Sequence, residues 1–223
     1  MIFSPIKIGS LKVSNRIVVA PMCQYSAING VMTDWHTQHL MQLGYSAAGL
    51  IMVEATAVEK IGRITHNCVG IYDNKCIVSL KKNLQLAKSV ASNKSCFGIQ
   101  LAHAGRKAST QRPWEGRSTL AKGEKPWKTI SPSPIPFQEN WHVPEEMKLS
   151  DIERVKKQFI SASLKAVEIG FDLIEIHGTH GYLLHQFLSP ISNKRKDKYG
   201  GSLENRMRFP LEVFSSVKKI LPK

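Results

Sequence analysis

Apolar residues alternate along the chain between short continuous runs and longer stretches in which they recur every three or four positions. The nearly continuous runs predict four buried strands, at 16–20, 50–55, 96–102 and 171–176. The stretches with helical spacing predict four helices, at about 34–47, 73–92, 150–169 and 202–220. Strands without polar alternation are buried on both faces, so the pattern predicts an α/β fold with a parallel sheet covered by helices.

Residues typical of helix ends support these boundaries. Thr33 can cap the first helix, and Ser150 with Glu153 matches the S-x-x-E capping box at the start of the third helix. Gly170 stands where a left-handed residue would end that helix. Residues 2–13 predict a short hairpin-like segment before the first strand.

The order of elements favours a (β/α) barrel over a doubly wound sheet, because strand and helix alternate regularly. A dinucleotide-binding domain would carry G-x-G-x-x-G after its first strand, and PMCQYS stands there instead, at 21–26. Residues 103–149 break the alternation with six prolines, three tryptophans and no clear periodicity. A loop of this length after the third strand is usually functional, so we predict that it caps a pocket.

Composition narrows the class of protein. With 223 residues, 42% apolar and 22% charged, the chain suits one large globular domain or two small ones. Its apolar runs are much shorter than the roughly 20 residues of a membrane span, and the first ten residues lack a signal-peptide core. Four cysteines without C-x-x-C spacing argue against a zinc ribbon or a disulfide framework. We therefore expect a cytoplasmic protein with reduced thiols and no membrane partner.

The net charge of +14 allows nucleic-acid binding, but the basic residues are mostly scattered. No stacking aromatics are interleaved with the basic run at 194–198. A solvated basic surface, or attraction of an anionic small ligand, explains the charge better, so no nucleic-acid partner is expected.

Reactive side chains gather directly after each predicted strand. Cys23 and Tyr25 follow the first strand, Glu54 and Ala55 end the second, and Gln100 lies on the third. In a parallel barrel these ends meet at one mouth, where barrel enzymes hold their sites. The alternative is that each is a loop residue selected for solubility.

The segment His177-Gly178-Thr179-His180-Gly181-Tyr182 follows the fourth strand. Two imidazoles three residues apart could ligate zinc, but no cysteine or carboxylate at suitable local spacing completes such a site, so no metal is expected. Two neutral imidazoles can instead donate to one substrate oxygen and polarise a carbonyl, with Tyr182 as a proton donor. A purely packing role for one of the two histidines stays open.

Other candidates have weaker support. His36 and His39 fall within the first helix, away from a barrel mouth, and are expected to be structural or to form a subunit contact. Cys23 could be an inert buried thiol or could face the mouth. Gln100 could be a satisfied core amide, or it could pair its donor and acceptor with an imide edge such as a flavin pyrimidine.

Five motifs in order make the chain resemble the old yellow enzyme family of FMN-dependent ene-reductases, in its thermophilic-like bacterial branch of NADPH dehydrogenases. They are NRIVVAPMCQYS (15–26), GLIMVEATAV with GRIT (49–65), GIQLAHAGRKA (98–108), FDLIEIHGTHGYLLHQFLSPISNKR (171–195) and YGGSLENRMRF (199–209). They span the chain nearly end to end. The resemblance implies a TIM (β/α)8-barrel and transfer of hydride from NADPH or NADH, through FMN, to the β-carbon of an activated alkene such as an α,β-unsaturated carbonyl.

The resemblance also assigns site residues. Flavin-binding positions are Ala20, Pro21, Met22, Cys23, Ala55 and Gln100. Tyr25, His177 and His180 would hold the activating oxygen of the substrate, Tyr182 would donate the proton, and Cys23 would tune the flavin. Lys107 is expected near the pocket. The histidine bonds would stabilise a developing enolate, and so would raise the rate as well as the affinity.

Family members complete eight βα units, whereas four are predicted here, so residues 1–223 are expected to form the N-terminal half of one FMN-binding barrel domain. The phosphate-binding loops of the family belong to the other half. Open sheet edges invite pairing, so the partner would be a complementing C-terminal half or a second copy in a homo-oligomer. The alternative function is a truncated, non-catalytic remnant or half-barrel assembly module without the flavin phosphate site.

Overall fold

The computed structural model describes residues 1–91 and 95–222. Its strands, numbered in chain order, are β1 (Ile6–Ile8), β2 (Leu11–Val13), β3 (Val18–Val19), β4 (Leu50–Ala57), β5 (Cys96–Ala102), β6 (Ile130–Ser131), β7 (Glu145–Glu146) and β8 (Leu173–Ile176). Its α-helices are α1 (Asp34–Tyr45), α2 (Asn74–Val90), α3 (Leu149–Ile169), α4 (Leu183–Leu188) and α5 (Leu203–Ile220).

The central sheet contains β3, β4, β5 and β8 in that spatial order, and all three pairings are parallel. Strands that are consecutive in the chain are therefore neighbours in the sheet, as in a (β/α) barrel. In a doubly wound sheet, the order in which strands are added reverses partway across the sheet. Every residue of β4 is buried, Glu54 and Thr56 included, as its nearly continuous apolar run predicts. β3 is shorter than the predicted 16–20, and Val18 is half exposed at this sheet edge. The antiparallel β1–β2 hairpin confirms the predicted lead-in.

Helix α3 packs its apolar face into the main core. Its buried apolar positions are those of the sequence pattern: Ile152, Val155, Phe159, Ala162, Ala166 and Ile169. Gly170 ends the helix with φ 103°, as predicted, because a residue with a Cβ rarely adopts this left-handed conformation. Helix α5 contacts both α3 and α4, so the second half of the chain forms one continuous layer.

The sequence predicted the starts of α1 and α2 correctly, but not the cap of α3. Thr33 precedes α1, and Asp73 caps α2 by accepting from the Cys76 N–H at 2.9 Å. The Ser150–Glu153 capping box is wrong, because α3 starts at Leu149 and the Asp151 carboxylate accepts from the Lys148 N–H at 2.9 Å. The predicted end of α2 at about Ser92 lies outside the described residues. Helix α4 was missed because its six residues are too few to show a period.

The aperiodic segment between β5 and α3 contains three short 3-10 turns and the small parallel pair β6–β7. The buried Arg195 fastens this segment to the loop after α4. Its guanidinium donates to the carbonyl oxygens of Pro132 at 3.1 Å and Met147 at 2.6 Å, and it pairs with Asp197 at 2.6 Å.

Both outer edges of the central sheet, at β3 and β8, lack a strand partner within the described ranges. Beside β8, an apolar hollow of about 410 Å³ is lined by Ile174, Ile176, Phe214, Val217, Lys218, Leu221 and Pro222. Phe214 is 54% exposed there. Open edges and exposed apolar side chains are features that another strand or chain would cover. No helix within 1–91 or 95–222 combines the length and apolarity needed to cross a bilayer.

Candidate active site

The loops at the carboxyl ends of the sheet strands bring several predicted residues into one cluster. His177 follows β8 directly, and its backbone N–H donates to the Leu101 oxygen of β5 at 2.9 Å. The His177 ring contacts those of His180 and Tyr182, with centroids 5.1 and 4.9 Å apart and nearly perpendicular planes. The local spacing of the motif thus gives a compact aromatic group at the strand end.

Hydrogen bonds fix the tautomer of His177. The Thr179 N–H lies 3.4 Å from His177 Nδ1, which makes Nδ1 an acceptor and leaves the proton on Nε2. His177 Nε2 then faces His180 Nδ1 at 3.4 Å. His177 Nε2 thus donates to His180 Nδ1, and the free N–H of the pair is on His180 Nε2. A substrate oxygen that accepted from both rings would replace the 3.4 Å contact between them.

Burial keeps His177 neutral. The ring is 5% exposed, and this burial, with the neighbouring His180 and Lys107, lowers the pKa of His177 to about 4. A neutral imidazole at physiological pH donates without carrying a charge. This is the protonation state that the carbonyl-polarising role requires.

Lys107 lies at the centre of the cluster, as expected. Its ammonium donates to the His180 carbonyl at 3.0 Å and stands 5.0 Å from the Tyr182 ring centroid and 4.6 Å from that of Phe137. Burial and the nearby Arg106 lower the pKa of Lys107. Burial first, and then the neighbouring thiols and Tyr25, raise the pKa of Tyr182, so its hydroxyl keeps the proton that a donor needs.

Tyr25 and His180 have unusual backbones, with φ of 50° and 56°. Left-handed conformations are uncommon for residues with a Cβ and concentrate at functional sites. The Tyr25 ring meets Trp114 of the segment after β5 edge to face, with centroids 5.8 Å apart. The long loop therefore reaches the residues that follow β3.

Ala55 and Gln100 pair across the sheet. Ala55 on β4 is the strand partner of Gln100 on β5. Gln100 is 6% exposed, and its Nε2 donates to Glu175 Oε1 at 2.5 Å. A carboxylate only accepts, so the Gln100 amide must turn its nitrogen toward Glu175, and its oxygen is left as an acceptor for another group.

The residues before Cys23 are less enclosed. Ala20 and Met22 are exposed and Pro21 is half-buried. Glu54 does not face the mouth with the others: its carboxylate lies 3.3 Å from His36 Nε2 and accepts from the Gln24 N–H at 3.2 Å. His36 is buried against the sheet in this pair, in agreement with the structural role expected for it.

Three large hollows among the described residues lie away from the cluster. Hollows of about 530, 520 and 410 Å³ lie elsewhere, beneath β5, between α1 and α2, and beside β8. Cys68, Ala55 and Tyr182 line a much smaller hollow of about 10 Å³ within the cluster. Among the described residues, no three His, Cys, Asp or Glu side chains come together as a metal site.

Two residues of the cluster were missed. Cys68, in the loop after β4, lines a small hollow together with Tyr182, and Trp114 packs on Tyr25. The tryptophans in the aperiodic segment were a signal, but no period ties Trp114 to a face. Nothing near Cys68 in the sequence distinguishes it from an inert buried thiol.

A family model described as the NADH:flavin oxidoreductase / NADH oxidase family matches residues 1–222. The chain is 45% identical over 225 residues to "NADH:flavin oxidoreductase FG08077" of Gibberella zeae, covering 99% of this chain and 54% of that protein. It is 43% identical over 222 residues to "NADPH dehydrogenase" of Geobacillus sp. (strain WCH70), covering 99% of this chain and 60% of that protein. The chain thus spans a little over half the length of these relatives.

Solved structures agree. An Old Yellow Enzyme from Pichia sp. AKU4542 superposes with a TM-score of 0.85 at 32% identity, covering 98% of this chain and 56% of that one. Morphinone reductase gives 0.82 at 27% identity, covering 98% and 59%. The fold is therefore part of the TIM barrel of these enzymes, which confirms the predicted fold class and the resemblance to old yellow enzymes. The chain belongs to the NADH:flavin oxidoreductase / NADH oxidase family.

Proposed function

We propose that this chain forms the substrate-facing half of an FMN-dependent oxidoreductase of the NADPH dehydrogenase or ene-reductase type. The observation that carries the proposal is the group of His177, His180 and Tyr182 in mutual contact after β8, with Tyr25 and Cys23 following β3 at the same end of the parallel sheet. A bound flavin supplies hydride transfer from NADPH or NADH to the β-carbon of an activated alkene.

The hydrogen-bonding group that Gln100 leaves free matches the polar edge of a flavin. Gln100 offers a carbonyl oxygen, because its nitrogen is bonded to Glu175, and an imide N–H is the matching donor. Ala55 is paired with Gln100 across the sheet, and Ala55 and Cys23 would lie along the ring with Ala20, Pro21 and Met22. The phosphate of FMN would be bound by the other half of the barrel domain.

The histidines and tyrosines would act on the substrate. His180 Nε2, and His177 Nε2 once released from His180, would donate to the activating oxygen and stabilise the negative charge that develops there. Tyr25 would hold the same oxygen. Tyr182, which retains its proton, would deliver it to the α-carbon. The segment 103–149 would cap this face through Trp114 and exclude water.

A second candidate function is assembly without catalysis, favoured by the unpaired β8 edge and the hollow beside it. In either case the partner proposed for this edge is a complementing C-terminal half barrel. The chain covers 56% of the Pichia Old Yellow Enzyme, and the uncovered part of that enzyme is the kind of chain that would extend the sheet. Association of two copies is the competing outcome.

The test is flavin binding. The purified chain is titrated with FMN, alone and with the C-terminal portion of the Geobacillus relative, while flavin fluorescence and the visible spectrum are recorded. We expect uptake near one FMN per chain, and weaker uptake in Gln100→Leu but not in the control Gln85→Leu, whose side chain is exposed on α2. A colourless protein under both conditions would leave the assembly function as the better account.

A further inference from the structure

Gln186 is a buried amide among the loops that surround the site cluster. It lies on α4, four residues after Tyr182, and is 1% exposed. Its side chain has two N–H donors and an oxygen that can accept twice, and all four of these hydrogen bonds are made. The amide is therefore held in one orientation, because turning it over would leave buried polar groups unpaired.

The nitrogen of this amide holds two carbonyl groups. Gln186 Nε2 donates to the Gly181 oxygen at 2.7 Å and to the Ala104 oxygen at 3.1 Å. Gly181 separates His180 from Tyr182. The shorter of the two hydrogen bonds therefore fixes the peptide group that joins Gly181 to Tyr182.

The oxygen of the amide binds two segments on its other side. Gln186 Oε1 accepts from the Arg106 N–H at 3.2 Å and from the Ser131 hydroxyl at 3.3 Å. Gly105, with φ 60°, leaves the space that the amide occupies, because a Cβ at this position would collide with Gln186 Oε1. One side chain thus ties together the turn after β5, strand β6 of the long loop, and the loop that carries the two histidines.

The backbone that Gln186 holds has an uncommon conformation. His180 and Gly181 are consecutive residues with positive φ, of 56° and 72°. A residue with a Cβ keeps this conformation only where its surroundings impose it. Lys107 donates to the His180 oxygen at 3.0 Å, and His185 Nδ1 accepts from the Gly181 N–H at 2.8 Å, but both of these side chains are more exposed than that of Gln186. Gln186 therefore provides the buried support of this turn.

We propose that Gln186 is a positioning residue for the reduction of the alkene, acting through the Gly181 carbonyl to set the directions of the His180 and Tyr182 side chains. His180 lies one residue before the held carbonyl and Tyr182 one residue after it, so a shift of that carbonyl moves both. A displacement of about 1 Å in a reacting group can cost about a hundredfold in rate. The catalytic meaning of this inference rests on the proposed function, whereas the geometry it invokes is a property of the chain without flavin.

The experiment compares Gln186→Met with Asn193→Leu. Methionine keeps the length of the side chain and removes all four hydrogen bonds. Asn193 is the matched control, because its amide is also buried, donates to the Phe187 and Tyr199 oxygens, each at 2.8 Å, and accepts from the Arg195 N–H at 3.1 Å. None of these partners belongs to the histidine loop. Both variants lose a buried amide, but only Gln186→Met should disturb the site.

The first readout needs no flavin. Nuclear Overhauser contacts of the His177 ring with the rings of Tyr182 and His180 are recorded in the whole chain, with His177→Gln to assign the signals. The centroid distances of 4.9 and 5.1 Å predict both contacts in the wild type. We expect them to be lost in Gln186→Met and to persist in Asn193→Leu.

The second readout is activity. The chain is mixed with FMN, the C-terminal portion of the Geobacillus relative, NADPH and 2-cyclohexenone, an α,β-unsaturated ketone. Gln186→Met should lower kcat at least about tenfold, because the proton donor and the histidine are displaced. Its FMN affinity should stay at the wild-type value, since Gln186 is not among the residues proposed to hold flavin. Asn193→Leu should keep the wild-type kcat.

The two readouts separate this inference from the proposed function. If no protein in the series binds flavin, the proposed function fails, and the ring contacts alone decide the role of Gln186. If Gln186→Met does not fold, Gln186→Glu replaces it, because glutamate keeps an acceptor for Arg106 and Ser131 and has at most one donor for the two carbonyls. Folded Gln186 variants with intact ring contacts, or an equal loss of these contacts in Asn193→Leu, overturn the proposal.

Discussion

Gln100 Nε2 lies 2.5 Å from Glu175 Oε1, and the two residues are strand partners on β5 and β8. The carboxylate therefore sets the direction of the Gln100 amide. Glu175→Ala should weaken FMN binding about tenfold, because a charge-assisted hydrogen bond is worth roughly 1.5–3 kcal/mol and part of it is spent on orientation.

The measurement is an FMN titration of the chain with its complementing half, followed by fluorescence. Glu168→Ala, at an exposed position of α3, is the matched control and should bind like the wild type. Equal affinities for Glu175→Ala and the wild type would show that the Gln100 amide needs no partner to present its oxygen.

The low pKa of His177, about 4, predicts an acid-side loss of stability. In the unfolded chain the imidazole of His177 titrates near 6.5. Between pH 6.5 and 4 it is therefore protonated in the unfolded chain and neutral in the folded chain. The free energy of unfolding should fall as pH drops through this window. Urea unfolding at pH 7 and 4.5 should show a smaller difference in His177→Gln than in the wild type.

The same residue can be followed directly. The His177 Cε1–H resonance should titrate with a midpoint near 4 and disappear from the spectrum of His177→Gln. A midpoint near 6.5 would mean that the ring is hydrated, and the neutral-donor role would then lose its physical basis at mildly acid pH.

Arg195 is predicted to be the main fastening between the segment after β5 and the loop after α4. Arg195→Ala removes donors from the buried Pro132 and Met147 carbonyls and should cost about 3–5 kcal/mol. Lys196→Ala, at the exposed next position, should change stability by less than about 0.5 kcal/mol. Urea unfolding measures both, and similar values for the two variants would contradict the assignment.

The central sheet was predictable because its strands are nearly continuous apolar runs, interrupted only by single polar residues such as Glu54 and Gln100. Leu50–Ala57 and Cys96–Ala102 stand nearly where the runs of apolar residues are, since burial on both faces leaves a pattern that needs no tertiary information. The start of α3 was not predictable in this way, because Ser150 and Asp151 are both good capping residues. The choice between them depends on how the preceding chain enters the helix.

The candidate site also contains some contacts that the sequence predicts and others that it does not. His177 and Tyr182 belong to one short motif after one strand, so their contact follows from local sequence. The hollow that Cys68 shares with Tyr182 and the contact of Tyr25 with Trp114 join segments that are distant in sequence. Their formation depends on the paths of two irregular loops, and irregular loops carry no periodic signal.

The last prediction concerns the uncovered edge of β8. Phe214 and Leu211 on α5 are each 54% exposed, but Phe214 lines the hollow beside Ile174 and Ile176, whereas Leu211 is not among its lining residues. If a complementing half barrel docks there, a charge at Phe214 would be buried against apolar groups without a partner, which costs several kcal/mol. Phe214→Asp should therefore weaken association with the C-terminal portion of the Geobacillus relative by at least about a hundredfold, roughly 3 kcal/mol.

Leu211→Asp should associate like the wild type. Light scattering and a binding titration separate the outcomes: equal weakening in both variants would place the interface elsewhere on α5, and a wild-type chain that pairs with itself in preference to the added half would make the second copy the occupant of this edge.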